Sequence, residues 1–170
     1  IGNFMIQGGG FDFHGKYPAG LHKKPGAKAP IKNEWQNGLK NVKGSVAMAR
    51  LGGQPDSATN QFFINVANND FLDTPRDGAA YAVFGNVISG MDTCEKIKAV
   101  ATSTINGMQN VPSAPVMIES VTMVTKDQAM NAEAQIAKEN VKAIEARIAE
   151  LQAELAEAKK KAEQFSATKE

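Results

Sequence analysis

The sequence predicts a mainly β domain with one short helix, followed by a long C-terminal α-helix of coiled-coil type. Two observations carry this expectation. Up to about residue 125, short apolar or alternating runs are separated by glycine, proline, asparagine and aspartate clusters, the punctuation of strands and turns. From Asp127 onward neither glycine nor proline occurs, and the helix formers alanine, glutamate, lysine and glutamine dominate. The expected organisation is a first domain over 1–125 and a heptad helix over 126–170.

The totals narrow the function classes. A chain of 170 residues has room for one domain with a real core and an appendage. A net charge of +1 argues against electrostatic recruitment to nucleic acid or to an acidic membrane. The one cysteine, Cys94, excludes an internal disulfide framework and a multi-cysteine zinc site. Asp92 and Glu95 beside it favour the neutral thiol, so Cys94 reads as structural rather than nucleophilic. No apolar run approaches the roughly 20 residues of a membrane span. No signal-peptide pattern is present, and the chain begins at Ile1 rather than Met, which leaves its natural beginning open.

The elements follow in order. Ile1–Gln7 is an apolar strand candidate ending in Gly8-Gly9-Gly10, where three glycines permit a sharp bend and a close backbone approach. They lack the spacing of a dinucleotide fingerprint, so phosphate binding is not expected. Residues 12–43 read as a loop, punctuated by Pro18, Pro25 and Pro30 and carrying several lysines. His14 and His22 lie there with no cysteine or carboxylate pattern around them, so no metal site is expected.

Gly44–Arg50 and Asn60–Val66 read as two strands joined by a loop containing Gly52, Gly53, Pro55, Asp56 and Ser57. In the second strand Phe62, Ile64 and Val66 share one face, and Gln61, Phe63 and Asn65 the other. A large aromatic between two amides suits a shallow apolar pocket that holds a peptide by hydrogen bonds. It equally suits a barrel strand with its Phe packed under a loop. Tyr81–Ile88 has strand composition with Gly85 as a bulge, and Met91–Val100 has helical spacing with Asp92 or Ser89 as its cap. After a loop through Pro112 and Pro115, Val116–Thr125 alternates as a final strand.

In the tail, apolar residues fall at Met130, Ala134, Ala137, Val141, Ile144, Ile148, Leu151, Leu155, Ala158, Ala162 and Phe165, in unbroken steps of four and three. This is a heptad seam with β-branched Val141 and Ile148 at a and Leu151 at d. In a parallel pair Glu133 would meet Lys138 and Glu154 would meet Lys159, and no flanking pair is repulsive. Self-association through 130–165 is expected; a solvated helix, or one folded back on the β domain, is the other reading.

The stretch NFMIQGGGF at Asn3–Phe11 is followed in order by GSVAMAR, SATNQFFINV, NDFLD and YAVFGNVISGMD. With these motifs the chain resembles the cyclophilins, a family of peptidyl-prolyl cis–trans isomerases, most closely their bacterial branch. The resemblance is collinear from Ile1 to about Val124 and implies an antiparallel β-barrel. Asp12–Pro30 looks longer and more basic than in bacterial relatives, and the heptad helix lies outside the family domain. Cyclophilins begin with two strands, a helix and a Phe-His-Arg-Val segment, and the resemblance starts after that segment. The barrel is therefore expected to be N-terminally incomplete, and the sequence reads as a truncated frame or a piece of a longer protein.

The resemblance also implies a site. Phe4, Met5, Phe63 and Leu72 would line a proline pocket, with Phe71 and Tyr81 at its rim, where many eukaryotic relatives have Trp and His. Gln7 would touch the carbonyl beside the proline and is the catalytic candidate; Gln61 would orient the network. Backbone at Ala49 and Arg50 would pair with the substrate. The arginine the family uses in catalysis has no counterpart here, and nothing in the spacing puts Arg50 in its place. Strand alternation agrees for Gln61 with Phe63 and for Met5 with Gln7. It puts Phe4 on the opposite face, so Phe4 joins only if the strand bends near the glycines.

The implied activity is isomerisation of X–Pro bonds without metal, cofactor or covalent step. The implied partners are proline-containing peptides and unfolded protein clients, in the bacterial periplasm or cytoplasm. The alternative is a proline-peptide binding or chaperone module with little turnover, for want of the arginine. A further expectation is that unpaired edge strands make the chain prone to aggregate.

Overall fold

The computed structural model describes residues 1–167, with side chains through residue 161. The chain divides into two compact units, Ile1–Ser120 and Val121–Glu170.

The first unit is mainly β, as its punctuation predicts. Strands β1 (Met5–Gly8), β4 (Ser45–Met48), β5 (Phe62–Asn65) and β6 (Val83–Asn86) form one antiparallel sheet in the order β1-β5-β4-β6. Among the described residues this sheet stays open and does not close into a barrel. Register follows the alternation: Met5 faces Asn65, Gln7 faces Phe63, and Phe63 faces Ala47. One slip would turn every side chain to the other face, so the buried set Ala47, Phe63, Asn65 and Ser45 pins the pairing. Between β4 and β6 the register shifts: Val46 faces Gly85 but Ala47 faces Val83. Phe84 is the extra residue of the bulge, beside the expected Gly85, and lies exposed.

Several expectations are corrected. The first strand starts at Met5, because Ile1–Phe4 is a turn in which Phe4 and Met5 N–H both reach the Ile1 carbonyl. The segment 12–43 contains a hairpin, β2 (Phe11–Phe13) with β3 (Leu21–Lys23). A second hairpin, β7 (Thr102–Ile105) with β8 (Met108–Pro112), occupies what reads as a loop. Its turn is Asn106-Gly107, both with positive φ of 52° and 78°. That is the dipeptide two-residue hairpins favour, since this turn needs left-handed backbone twice. Val116–Thr125 forms no strand. Its alternation is real, but among the described residues no neighbouring strand pairs with it, and Val121 and Met123 are 83% and 94% exposed.

Helix α1 (Met91–Lys98) buries Cys94 as expected. Its N-cap is Gly90 in the left-handed conformation, with no side-chain cap bond, rather than Asp92 or Ser89. In the second unit, α2 (Lys126–Ala167) is a continuous helix of 42 residues. Thr125 and Gln128 open it as a reciprocal capping box: Gln128 N–H donates to Thr125 Oγ1 and Thr125 N–H to Gln128 Oε1. The side chains of Ala162 and Phe165 lie outside the described residues.

Candidate functional site

The face of the sheet that carries Ala47 and Phe63 is covered by the segment following β5. A short 3-10 turn, Asp70–Asp73, drops Leu72 onto Phe63. Tyr81 N–H then donates to the Leu72 carbonyl at 3.0 Å, returning the chain to the sheet edge. The result is a core of Ala47, Phe63, Leu72 and Val83, against which Phe4, Met5, Ala49 and Tyr81 pack half-buried.

Each sequence-predicted site residue has a definite place here. Phe63 and Leu72, 3% and 7% exposed, are floor rather than accessible surface. Phe4 joins the face, but through the turn before β1 and not through a bend at the glycines. Its ring stacks on exposed Phe71 with centroids 5.5 Å apart, and the Arg76 guanidinium lies 5.7 Å from the centre of Phe71. Tyr81 meets Phe63 edge-on at 5.8 Å. At the other end Gln7 is exposed and donates from Nε2 to Gln61 Oε1 at 2.8 Å. The glycine run makes room for this pair: a Cβ at Gly10 would fall 2.6 Å from Gln61 Cδ. Ala49 N–H pairs with the Gln61 carbonyl at 3.0 Å. Nine of the expected residues thus adjoin one apolar face bordered by two side-chain amides.

The tenth, Arg50, contributes differently. Its side chain is 2% exposed and its guanidinium lies 4.6 Å from the centre of the Tyr81 ring. It donates to Asp77 Oδ1 at 3.0 Å and to the Ala79 carbonyl at 2.8 Å. Asp77 also accepts from Gly53 N–H. The Arg50 hydrogen bond, then that of Gly53, holds the Asp77 carboxyl below the usual aspartate range. Arg50 therefore backs Tyr81 and ties the loop after β4 to the turn before Tyr81. Its charge is committed to Asp77 and the Ala79 carbonyl.

A separate cavity of about 260 Å³ lies on a different patch, lined by Ile31, Met48, Ala58, Val83 and Phe84 among others. Of the ten expected residues it touches Arg50 alone. That cavity also joins apolar residues to amides, Asn33 and Asn37; the shallow face carries the functional reading because the other nine expected residues adjoin it.

The sequence reading missed what holds this face in place. Asn41, Ser45, Asn65 and Asn69 are all buried. Asn65 Nδ2 donates to Asn41 Oδ1 at 3.1 Å and to Ser45 Oγ at 2.8 Å; Asn69 Nδ2 donates to Asn65 Oδ1 at 2.6 Å and to the Phe4 carbonyl at 2.8 Å. Asn41 Nδ2 reaches Asp73 Oδ1 at 2.8 Å and the Tyr81 carbonyl at 3.2 Å. One network thereby fixes the Phe4, Leu72 and Tyr81 walls. Asn65, on the face of Phe63, was the available signal: an amide facing a core requires partners.

The family model described as cyclophilin type peptidyl-prolyl cis-trans isomerase/CLD matches residues 1–123. A peptidyl-prolyl cis-trans isomerase of Acinetobacter baylyi is 57% identical over 121 residues, covering 71% of this chain and 60% of that protein. Peptidyl-prolyl cis-trans isomerase A of Dickeya dadantii is 46% identical over 126 residues, 74% of this chain and 62% of its own length. Peptidyl-prolyl cis-trans isomerase B of Escherichia coli is 51% identical over 126 residues, 72% of each chain. The chain spans about three fifths of the length of the first two relatives. With the open antiparallel sheet and the motif order, these matches establish that the chain belongs to the cyclophilin-type peptidyl-prolyl cis-trans isomerase family.

Proposed function

We propose that the chain accelerates cis–trans isomerisation of X–Pro bonds in peptides and unfolded protein clients, at the face formed by Phe4, Met5, Phe63, Leu72 and Tyr81. The X–Pro bond turns slowly because amide resonance sets a barrier of roughly 18–20 kcal/mol. Twisting it breaks that resonance and leaves a lone pair on the prolyl nitrogen. Only contacts stronger in the twisted state than in the planar one speed the reaction.

The apolar face suits a proline ring, and Phe71 at its rim suits the flanking residue. Gln7 keeps one amide hydrogen free while the other is given to Gln61, so it has a donor for the carbonyl beside the proline. Ala49 and Arg50 offer backbone for an extended substrate. Residues 1–125 form the catalytic domain in this reading. Residues 126–170 form an appendage that joins copies of the chain through the seam 130–165, raising avidity for clients with several prolines.

The observation that carries the proposal is the convergence of the half-buried Phe4, Met5 and Tyr81 with the Gln7–Gln61 amide pair on one face of the sheet. The test is two-dimensional exchange NMR of an X–Pro peptide with and without the chain. The expected result is faster cis–trans exchange, with shifts in the protein confined to this face. Shifts there without faster exchange would reduce the role to binding. No shift in a folded protein would overturn the proposal.

A further inference from the structure

We infer that α2 pairs with α2 of a second copy as a parallel, in-register, two-stranded coiled coil. This rests on the self-association proposed above and adds its direction and number. The large apolar side chains of the described seam are open: Met130, Val141, Ile144, Ile148, Leu151 and Leu155 are 47–59% exposed. Among the described side chains of α2, Ala129 alone is half-buried and the others are exposed. A helix of 42 residues whose described apolar stripe is about half exposed gains little from tertiary packing, which is where most helical stability in proteins originates. Covering the stripe requires an occupant that repeats with the same period along its length. A second copy does so by construction.

The flanking charges choose the direction. In a parallel pair each g residue faces the e residue five positions on in the other copy. Glu133 then meets Lys138 and Glu154 meets Lys159, each twice by symmetry, and Asn140–Glu145 and Arg147–Gln152 are neutral. An antiparallel pair that covers the same seam sets Val141 against Leu151 and Ile144 against Ile148 of the second copy. That arrangement brings Arg147 against Arg147 and Glu145 against Glu145 at its centre, leaving Glu133–Lys161 as its attraction. Arg147 is already paired within its own helix with Glu150 at 2.8 Å, which moderates one repulsion and leaves the Glu145 pair uncompensated. Val141 and Ile148 at a, with Leu151 at d, favour two strands, whereas Ile144 at d and Leu155 at a favour three or four, so the measured mass decides the number.

The test combines mass with a cross-link. Sedimentation equilibrium of the full chain should return twice the chain mass. In a Cys94→Ser background, Leu155→Cys should form an intermolecular disulfide on mild oxidation, since a parallel register sets position 155 against itself. In the antiparallel arrangement position 155 faces position 137, about 27 Å along the axis from its counterpart at ~1.5 Å per residue, and no such disulfide forms.

As a second variant that leaves the seam intact, Lys159→Glu should weaken the dimer about tenfold, and adding Glu154→Lys should restore it. A monomer at all concentrations overturns both self-association and its direction. A dimer without the position-155 disulfide and without charge-swap rescue overturns the direction and leaves self-association standing. A trimer or tetramer overturns the number.

Discussion

Replacing Asn65 by alanine tests whether one buried amide holds the candidate site together. Asn65 is fully buried and makes three side-chain hydrogen bonds, at 3.1 Å to Asn41, 2.8 Å to Ser45 and 2.6 Å from Asn69. The three partners lose unequally. Ser45 Oγ keeps its bond to the Val42 carbonyl and Asn69 Nδ2 keeps the Phe4 carbonyl, so each forfeits about 1 kcal/mol of net hydrogen bonding. Asn41 Oδ1, in a residue with no exposed surface, loses its partner outright, and an orphaned buried acceptor costs about 2 kcal/mol. The expected loss is about 4 kcal/mol, a large share of the roughly 5–15 kcal/mol of an ordinary domain. With a urea slope near 2 kcal/mol/M, the midpoint should fall by about 2 M. The assay is a urea titration followed by the amide signals of β5, with Asn68→Ala as the control. Asn68 is exposed and accepts only the Lys43 N–H among the described contacts, so its midpoint should move by less than ~0.5 M. Equal midpoints for Asn65→Ala and the control would refute the claim that the network holds the walls.

Three further outcomes are expected. Gln61→Ala removes the partner of Gln7 at a half-buried position; it should lower X–Pro turnover or peptide affinity about tenfold, the equivalent of ~1.4 kcal/mol, while the urea midpoint stays put. Asp77 is held below its usual range by Arg50 and then Gly53, so the folded state binds fewer protons there than the unfolded state. Its contribution is therefore present above the ordinary aspartate range and is lost as pH falls through the lowered value; a pH series of urea midpoints should show Asp77→Asn converging with the parent chain in acid and not at neutral pH. Burial, then the nearby Asp92 carboxylate, raises the Cys94 thiol above the ordinary cysteine range. A thiol reagent should label the native chain far more slowly than the chain in urea, and equal rates would show that α1 is not docked.

The legible parts of the fold were those whose cause is local. Gln61, Phe63 and Asn65 declare their face by alternation, and α2 declares itself by composition and seam. The β7–β8 hairpin is also local, written in Asn106-Gly107, but the two prolines that follow, Pro112 and Pro115, read as loop and mask it. Val116–Thr125 failed for the opposite reason: alternation shows which faces a strand would have, whereas a strand exists only where another backbone pairs with it. The site divided the same way. The pleat puts Gln61 with Phe63 and Met5 with Gln7 on shared faces, in agreement with the places the family resemblance implies. Phe4 depended on where β1 begins, which the Ile1 carbonyl decides. The burial of Arg50 depended on Asp77, distant in sequence, so pattern alone carried no trace of its side chain's direction.

The division into two units has a spectroscopic consequence. Trp35, the sole tryptophan, belongs to Ile1–Ser120, whereas the 42-residue α2 belongs to the other unit. Tryptophan emission therefore reports melting of the β unit alone, and far-ultraviolet circular dichroism is dominated by α2. If α2 is held by a second copy, dilution should lower the dichroic melting temperature and leave the fluorescence transition where it was. A single chain would then show two melting curves, of which one knows the protein concentration and the other does not.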